Sequence, residues 1–198
     1  TKKDFKNFFD KKIYDNIKII YNPIKEVFYD EKIKKNNDFL YVGRANDPIK
    51  RFNLVRDSLT KLNDSSRTLK VCGQQDPKFG KYLGYVSNIE LSKLYNETKY
   101  VFLTSKNEGI GLSMIESMIC GSIPITCSDN ETAREFLPED FICSPETDSI
   151  INQIKLIDKN YDEKRKLAFK LGEKYKKQFN KDNIAQNILN IKKWFMFH

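Results

Sequence analysis

A single histidine, the terminal residue His198, is all the chain contains. Its four cysteines, Cys72, Cys120, Cys127 and Cys143, form no C-x-x-C pair. Without clustered imidazoles or thiolates, the sequence argues against a zinc site and against a histidine-based catalytic relay within the chain. Three of the cysteines sit in or beside apolar runs, where a free thiol acts as a small hydrophobe. That points to a reducing, cytoplasmic setting. No apolar run approaches the roughly 20 residues that span a bilayer, and no secretory signal is visible. The chain opens on Thr1 instead of Met, as expected of a processed chain or a fragment. Its eight glycines spell neither G-x-G-x-x-G nor the P-loop G-x-x-x-x-G-K-[ST].

What is present is ordinary for a soluble domain of 198 residues: 39% hydrophobic and 31% charged side chains. The 35 Lys and Arg outnumber the 27 Asp and Glu, giving a net charge of +8. Such a balance favours anionic partners, whether nucleotides, nucleic acid or an acidic membrane surface, and is equally the mark of a lysine-rich solvated face.

Along the chain, short apolar runs alternate with helical periodicity. Residues 1–38 are rich in Lys, Asp and Asn and form an extension or linker-like segment. A short helix, a strand over Ile17–Tyr21 and a turn at Asn22-Pro23 are expected there. From Phe39 to the end, strands are expected over residues 39–42, 69–72, 100–104, 123–127 and 141–142, with a short strand or turn over 82–86. Helices are expected over 51–62, 88–95, about 111–120, 131–137, 146–158, 161–178 and 182–195, with Ser87 or Asn88 as a cap. Strands alternating with helices imply an α/β, doubly wound parallel sheet with a helical C-terminal end, occupying residues 39–198. Ligands of such sheets bind at the carboxyl ends of the strands, where strand order reverses. The polar positions that follow the strands therefore carry most weight.

Three of these positions stand out. Asn107-Glu-Gly-Ile-Gly-Leu112 joins an apolar strand to a helix. Its glycines let backbone N–H groups approach an anion at the positive end of that helix, and Glu108 and Glu116 add acceptors for hydroxyl groups. Read alone, it is also a tight turn with a helix cap. Gly43-Arg44, followed by Lys50 and Arg51, places cations where they can converge on a diphosphate; two surface cations beside a turn glycine fit the same pattern. Tyr82-Leu-Gly-Tyr-Val-Ser87 offers backbone groups to a nucleobase edge, or is a buried aromatic strand.

Taken in order, the pieces resemble the C-terminal, donor-binding domain of family 4 retaining glycosyltransferases of the GT-B fold. The matching stretches are Tyr41-Val-Gly-Arg44 with Lys50, Val71-Cys-Gly73, Leu83-Gly-Tyr-Val-Ser87 with Glu90-Leu91 and Leu94-Tyr95, and Glu108-Gly-Ile-Gly-Leu112 running into Ile115-Glu116. Cys120-Gly-Ser-Ile-Pro124 and Ser128-Asp129 complete the set. The resemblance covers roughly residues 17–140, with a looser helical match beyond.

The resemblance implies a Rossmann-like half of a GT-B transferase that moves a sugar from a nucleoside-diphosphate donor. Arg44 and Lys50 would neutralise the diphosphate, beside Gly43. Tyr85 and Val86 would lie at the base. Glu108 would hold hydroxyls of the sugar, and the amides of Gly109, Ile110, Gly111 and Leu112 would hold sugar and phosphate. Glu116 would accept from the ribose. Attack assisted by the leaving phosphate would retain anomeric configuration, with preorganised cations and amides stabilising the departing group. No carboxylate nucleophile, metal or cofactor is then required, and the chain has no Asp-x-Asp.

Three departures stand out. The family's acceptor-binding domain has a counterpart only in Tyr21-Asn-Pro-Ile24, so a separate acceptor domain, a partner chain or a homo-oligomer would complete the enzyme; the acceptor is a glycan, lipid or protein. Where the family often has Gly-Gly after Ser128-Asp129, this chain has Glu131-Thr132. One extra residue before Lys50 leaves both Lys50 and Arg51 as candidates for the phosphate.

The alternative from another class is a non-catalytic nucleotide-sugar-binding or assembly module. A nucleic-acid binder would fit the charge and the 13% aromatics, but no nucleic-acid module is recognisable. Near the C-terminus, Ile184, Ile188, Ile191 and Phe195 share a face beside Lys181, Lys192 and Lys193. That face either packs on the domain or touches an anionic membrane peripherally.

Overall fold

The structure is a computed structural model and describes residues 19–109 and 111–197. The helix expected near the N-terminus, the start of the Ile17–Tyr21 strand, the Ile110 amide and the side chain of Phe195 lie outside the described residues. Six parallel strands run in the order β3-β2-β1-β4-β5-β6. They are β1 (Asn37–Val42), β2 (Leu69–Cys72), β3 (Lys81–Gly84), β4 (Thr98–Leu103), β5 (Ile123–Cys127) and β6 (Ile142–Cys143). The helices are α1 (Phe52–Leu62), α2 (Asn88–Glu97), α3 (Leu112–Ile119), α4 (Glu131–Phe136), α5 (Thr147–Lys159), α6 (Tyr161–Gln178) and α7 (Lys181–Phe197). α1 packs with α5, while α2 and α6 pack with α3, so helices cover both faces of the sheet. This is the expected doubly wound fold. Its order reverses between β1 and β4, and a crevice opens there at the carboxyl ends of the strands.

Local chemistry accounts for the main elements. β1 and β4, at the centre, carry Phe39, Leu40, Tyr41, Tyr100, Val101 and Phe102, all essentially without solvent contact. Phe39 stacks on Phe102, with centroids 5.3 Å apart. In α1, Phe52, Val55 and Leu59 recur at helical spacing, and Asn63 ends the helix in the left-handed region. α2 starts on a capping box: the Ser87 hydroxyl accepts from the Glu90 amide while the Glu90 carboxylate accepts from the Ser87 amide. Pro124 sits within β5, where β6 pairs only with Thr126 and Cys127. Its missing donor thus falls on a stretch without an outer neighbour.

One expected strand is not seen among the described residues. Ile19–Tyr21 is irregular. The Tyr21 ring packs edge-on against Phe136 and tilts on Phe179, satisfying its apolar surface without a sheet neighbour. From Ile24 onward the segment before β1 joins the core. Ile24 and Phe28 are buried, the Ile24 amide donates to the Phe179 carbonyl, and the Lys176 ammonium donates to the Phe28 carbonyl. In α7, Ile184 is buried against the domain, whereas Ile188 is half exposed. Among the described residues no helix is long and apolar enough to cross a membrane.

Candidate functional site

Three loops meet at the β1/β4 switch point, and their backbones are tied to one another. The Lys106 amide donates to the Ile49 carbonyl at 2.9 Å, joining the loop after β4 to the loop after β1. The Thr104 hydroxyl donates to the carbonyls of Lys50 and Arg51. Arg51 adopts a left-handed backbone (φ 51°) at the start of α1 and turns its guanidinium inward, donating through Nε to the Thr104 carbonyl at 2.7 Å. Its two terminal nitrogens grip the Asp129 carboxylate in the loop after β5, and that pairing holds the Asp129 carboxyl below the usual range. A strained non-glycine residue held by this many contacts is over-determined by its surroundings.

The effect is to aim Lys50, not Arg51, into the crevice. Lys50 Nζ lies 2.5 Å from Glu108 Oε1, with both side chains about three-quarters buried. Together with Tyr41, Gly111 and the first residue of α3, Leu112, they line a cavity of about 90 Å³. Gly111 takes a left-handed conformation (φ 61°), and among the described residues no side chain caps the helix. The orphan N–H groups of α3's first turn therefore remain available to an anion. Thr132, standing where the resemblance leads one to expect glycine, donates its hydroxyl to the Glu108 carbonyl at 2.8 Å and fixes the height of that loop. Gly109 is exposed at the loop's apex.

Gly43, Arg44, Tyr85 and Val86 line a second cavity, of about 260 Å³, at the ends of β1, β2 and β3. Val42 borders both cavities. The floor of the second is a close backbone approach: the Gly43 amide donates to the Cys72 carbonyl, and a Cβ on Gly73 would stand 2.1 Å from the Gly43 carbonyl oxygen. Tyr85, 85% exposed, presents its ring at the rim. Arg44 also belongs to this cavity. Its side chain is 63% exposed and pairs with Asp47 at 2.7 Å, so in this structure it does not share Lys50's cavity.

Glu116 lies four residues, about one turn, beyond Leu112 in α3. It is only 9% exposed and, among the described residues, its carboxylate has no hydrogen-bond partner. Burial pushes its pKa up to about 7, with Lys25 pulling weakly the other way. Glu116 lines neither cavity; an unpartnered, largely buried carboxylate nonetheless suits hydroxyl donors that arrive with a ligand.

The structure thus gathers Lys50, Glu108, Gly111 and Leu112 at one cavity and Gly43, Arg44, Tyr85 and Val86 at its neighbour. Sequence reasoning passed over Thr104, marked Thr132 only as a departure from glycine without a role for its hydroxyl, and read Tyr41 as strand core.

The model described as "Glycosyl transferases group 1" matches residues 24–178 of this chain. The chain belongs to that family. Within this glycosyltransferase family, the chain is 30% identical over 114 residues to O-antigen chain mannosyltransferase B of Escherichia coli, covering 57% of this chain and 30% of that one. It is 28% identical over 137 residues to the O-antigen chain mannosyltransferase RfbU of Salmonella typhimurium, covering 62% and 38%. Among solved structures, sucrose-phosphate synthase from Thermosynechococcus elongatus superposes with a TM-score of 0.77 at 19% identity, over 90% of this chain and 52% of that one. Anabaena Alr3699/HepE, solved in complex with UDP and glucose, gives 0.75 at 18% identity, over 91% and 57%. The chain therefore spans about a third of the length of the two mannosyltransferases and about half that of the two solved structures.

Proposed function

We propose that this chain is the donor-binding half of a retaining glycosyltransferase that takes a hexose from a nucleoside diphosphate and delivers it to a glycan, lipid or protein acceptor. The observation that carries the reading is the convergence of Lys50, Glu108 and the uncapped N-terminus of α3 on one cavity at the switch point. The base would enter the adjoining cavity beside Tyr85 and Val86, with Gly43 and Arg44 at its edge next to the diphosphate. Glu116 would receive the ribose hydroxyls. Lys50 and the amides of Gly109, Ile110, Gly111 and Leu112 would carry the negative charge that grows on the departing diphosphate. They would do so without a metal ion or other cofactor. Glu108, already paired with a cation, suits hydroxyl binding better than nucleophilic attack; the proton of the acceptor would pass to the leaving phosphate, with retention of configuration.

The two similar mannosyltransferases, and the UDP and glucose bound to the Anabaena protein, set the first donors to assay: UDP- and GDP-linked mannose and glucose, with ADP-glucose for contrast. Calorimetric titration of the purified chain is expected to pick out one base and to lose that binding in Glu116→Ala. Failure of every nucleotide sugar to bind would sink the reading. Donor binding without transfer, even after an acceptor-binding half is supplied in trans, would instead favour a non-catalytic nucleotide-sugar-binding module.

A further inference from the structure

We infer that the hydroxyl of Tyr41 is a direct hydrogen-bond donor to a phosphate oxygen of the bound nucleoside diphosphate, a contact that rests on the donor-site reading above and extends it. Tyr41 is the penultimate residue of β1 and is 2% exposed. Its ring meets Phe52 edge-on at 4.8 Å, which fixes where the hydroxyl points. That hydroxyl has no hydrogen-bond partner among the described residues. Buried polar atoms are paired as a rule, and an unpaired one inside a ligand crevice marks a partner that arrives from outside.

The surroundings identify the kind of partner. Tyr41 lines the same cavity as Lys50, Glu108 and the start of α3. A Cβ at Gly43 would stand 3.4 Å from the phenolic oxygen, so the hydroxyl lies directly under the loop that follows β1. Burial, then the charges of Asp47 and Glu108, push the phenol pKa well above its ordinary value, so the group stays a neutral O–H donor. The Lys50 ammonium and the free amides at the head of α3 are donors too, and the Glu108 carboxylate is already engaged by Lys50. Three kinds of donor facing one small space call for an acceptor with several oxygens, which a phosphate supplies. The packing does not need the oxygen, since a phenylalanine ring would meet Phe52 in the same way.

The test is Tyr41→Phe in the full chain. UDP, GDP, uridine and guanosine are titrated by calorimetry into the unaltered chain and the variant, and both are melted. Losing one donor to a charged acceptor should weaken the preferred diphosphate by roughly tenfold. Nucleoside binding should stay unchanged, and the melting temperature should be equal or higher because an unpaired buried hydroxyl is gone. Equal diphosphate affinity in both proteins overturns the assignment, as does an equal loss for nucleoside and diphosphate. So does a lowered melting temperature, which would make the hydroxyl structural. Lys50→Met separates the two readings. If it weakens the diphosphate while Tyr41→Phe does not, the Tyr41 contact falls alone. If the unaltered chain binds neither nucleotide, the donor-site reading falls and takes the contact with it.

Discussion

Arg51 holds Asp129 with both prongs of its guanidinium, Nη1 to Oδ2 at 2.7 Å and Nη2 to Oδ1 at 2.8 Å, and so locks the loop after β1 to the loop after β5. The lock spends the charge of Arg51 on structure. Its neighbour Lys50 is left to face the crevice, where it meets Glu108. Two adjacent cations of nearly equal promise in the sequence thus have separate duties, one architectural and one directed at ligand.

Exchanging each cation should separate these duties. Lys50→Met is expected to weaken nucleoside-diphosphate binding by about tenfold or more while changing stability by under about 1 kcal/mol, because a pair still about one-quarter exposed and facing an open cavity adds little to folding. Arg51→Lys keeps the charge but loses the fork, and should lower stability by about 1–3 kcal/mol. Urea titrations alongside calorimetry measure both quantities. A Lys50 variant that unfolds early but binds normally would reverse the assignment.

The reason the sequence left Lys50 and Arg51 undecided is visible in the backbone. Which of them points inward depends on Arg51 taking φ 51°, a conformation that glycine advertises and arginine does not. Gly111, by contrast, does advertise its positive φ, and the strand, glycine turn and helix around it were legible. So was the central sheet, because β1 and β4 carry apolar runs long enough to exclude other readings. Ile17–Tyr21 was not legible, since a short apolar run serves equally to seat one aromatic ring in a cluster, as Tyr21 does with Phe136 and Phe179. The unpaired Tyr41 hydroxyl and the Thr132 bond to Glu108 are relations between distant segments, and periodicity carries no trace of them.

Glu116 should make donor binding depend on pH. Its carboxyl is raised from an ordinary 4.5 to about 7 by burial. Between these values the folded chain holds a proton that the unfolded chain has released, so this group's contribution to stability falls as pH rises from about 4.5 to 7. Ribose hydroxyls donate to the ionised form, so binding expels the proton and affinity should climb as pH rises through 7 before levelling off. Titrations in buffers of different ionisation enthalpy would register that proton, and Glu116→Gln should abolish the dependence. Affinity that stays flat from pH 6 to 8 in the unaltered chain would remove Glu116 from the ribose.

The packing behind α3 should matter as much as its front. A Cβ on Gly172 of α6 would lie 2.5 Å from the Ile119 amide nitrogen and 2.6 Å from the Met118 carbonyl carbon, backbone atoms with no freedom to yield. Gly172→Ala must therefore push α3 and α6 apart, at about 1–3 kcal/mol of stability. Because α3 carries both Glu116 and the free amides, donor affinity should drop with it. Thermal melts and donor titration of the same sample would report the two losses, and wild-type values for both would show that the helices are not in such close contact.

Lys35 offers a test of the opposite end of α3. Its ammonium is buried and donates to the carbonyls of Tyr95, at 2.9 Å, and Cys120, at 2.7 Å, closing the C-terminus of the helix. The guanidinium of Arg165 donates to the next carbonyl, Gly121. Burial first, then the charge of Arg165, lowers the Lys35 pKa from 10.5 to about 8. Below about pH 8 both folded and unfolded chains hold the proton, and the cost of burying the charge is at its full value. Between about 8 and 10.5 the folded chain has released a proton that the unfolded chain retains, so this group's contribution makes stability rise with pH. Lys35→Met should erase that rise. The Tyr95 carbonyl keeps the Ser122 hydroxyl as its partner, so only the Cys120 carbonyl loses a donor. The stability of the unaltered chain relative to Lys35→Met, measured by urea unfolding, should therefore increase between pH 7.5 and 9.5. A relative stability that falls over that interval would mean that the helix carbonyls hold the charged ammonium more strongly than burial opposes it.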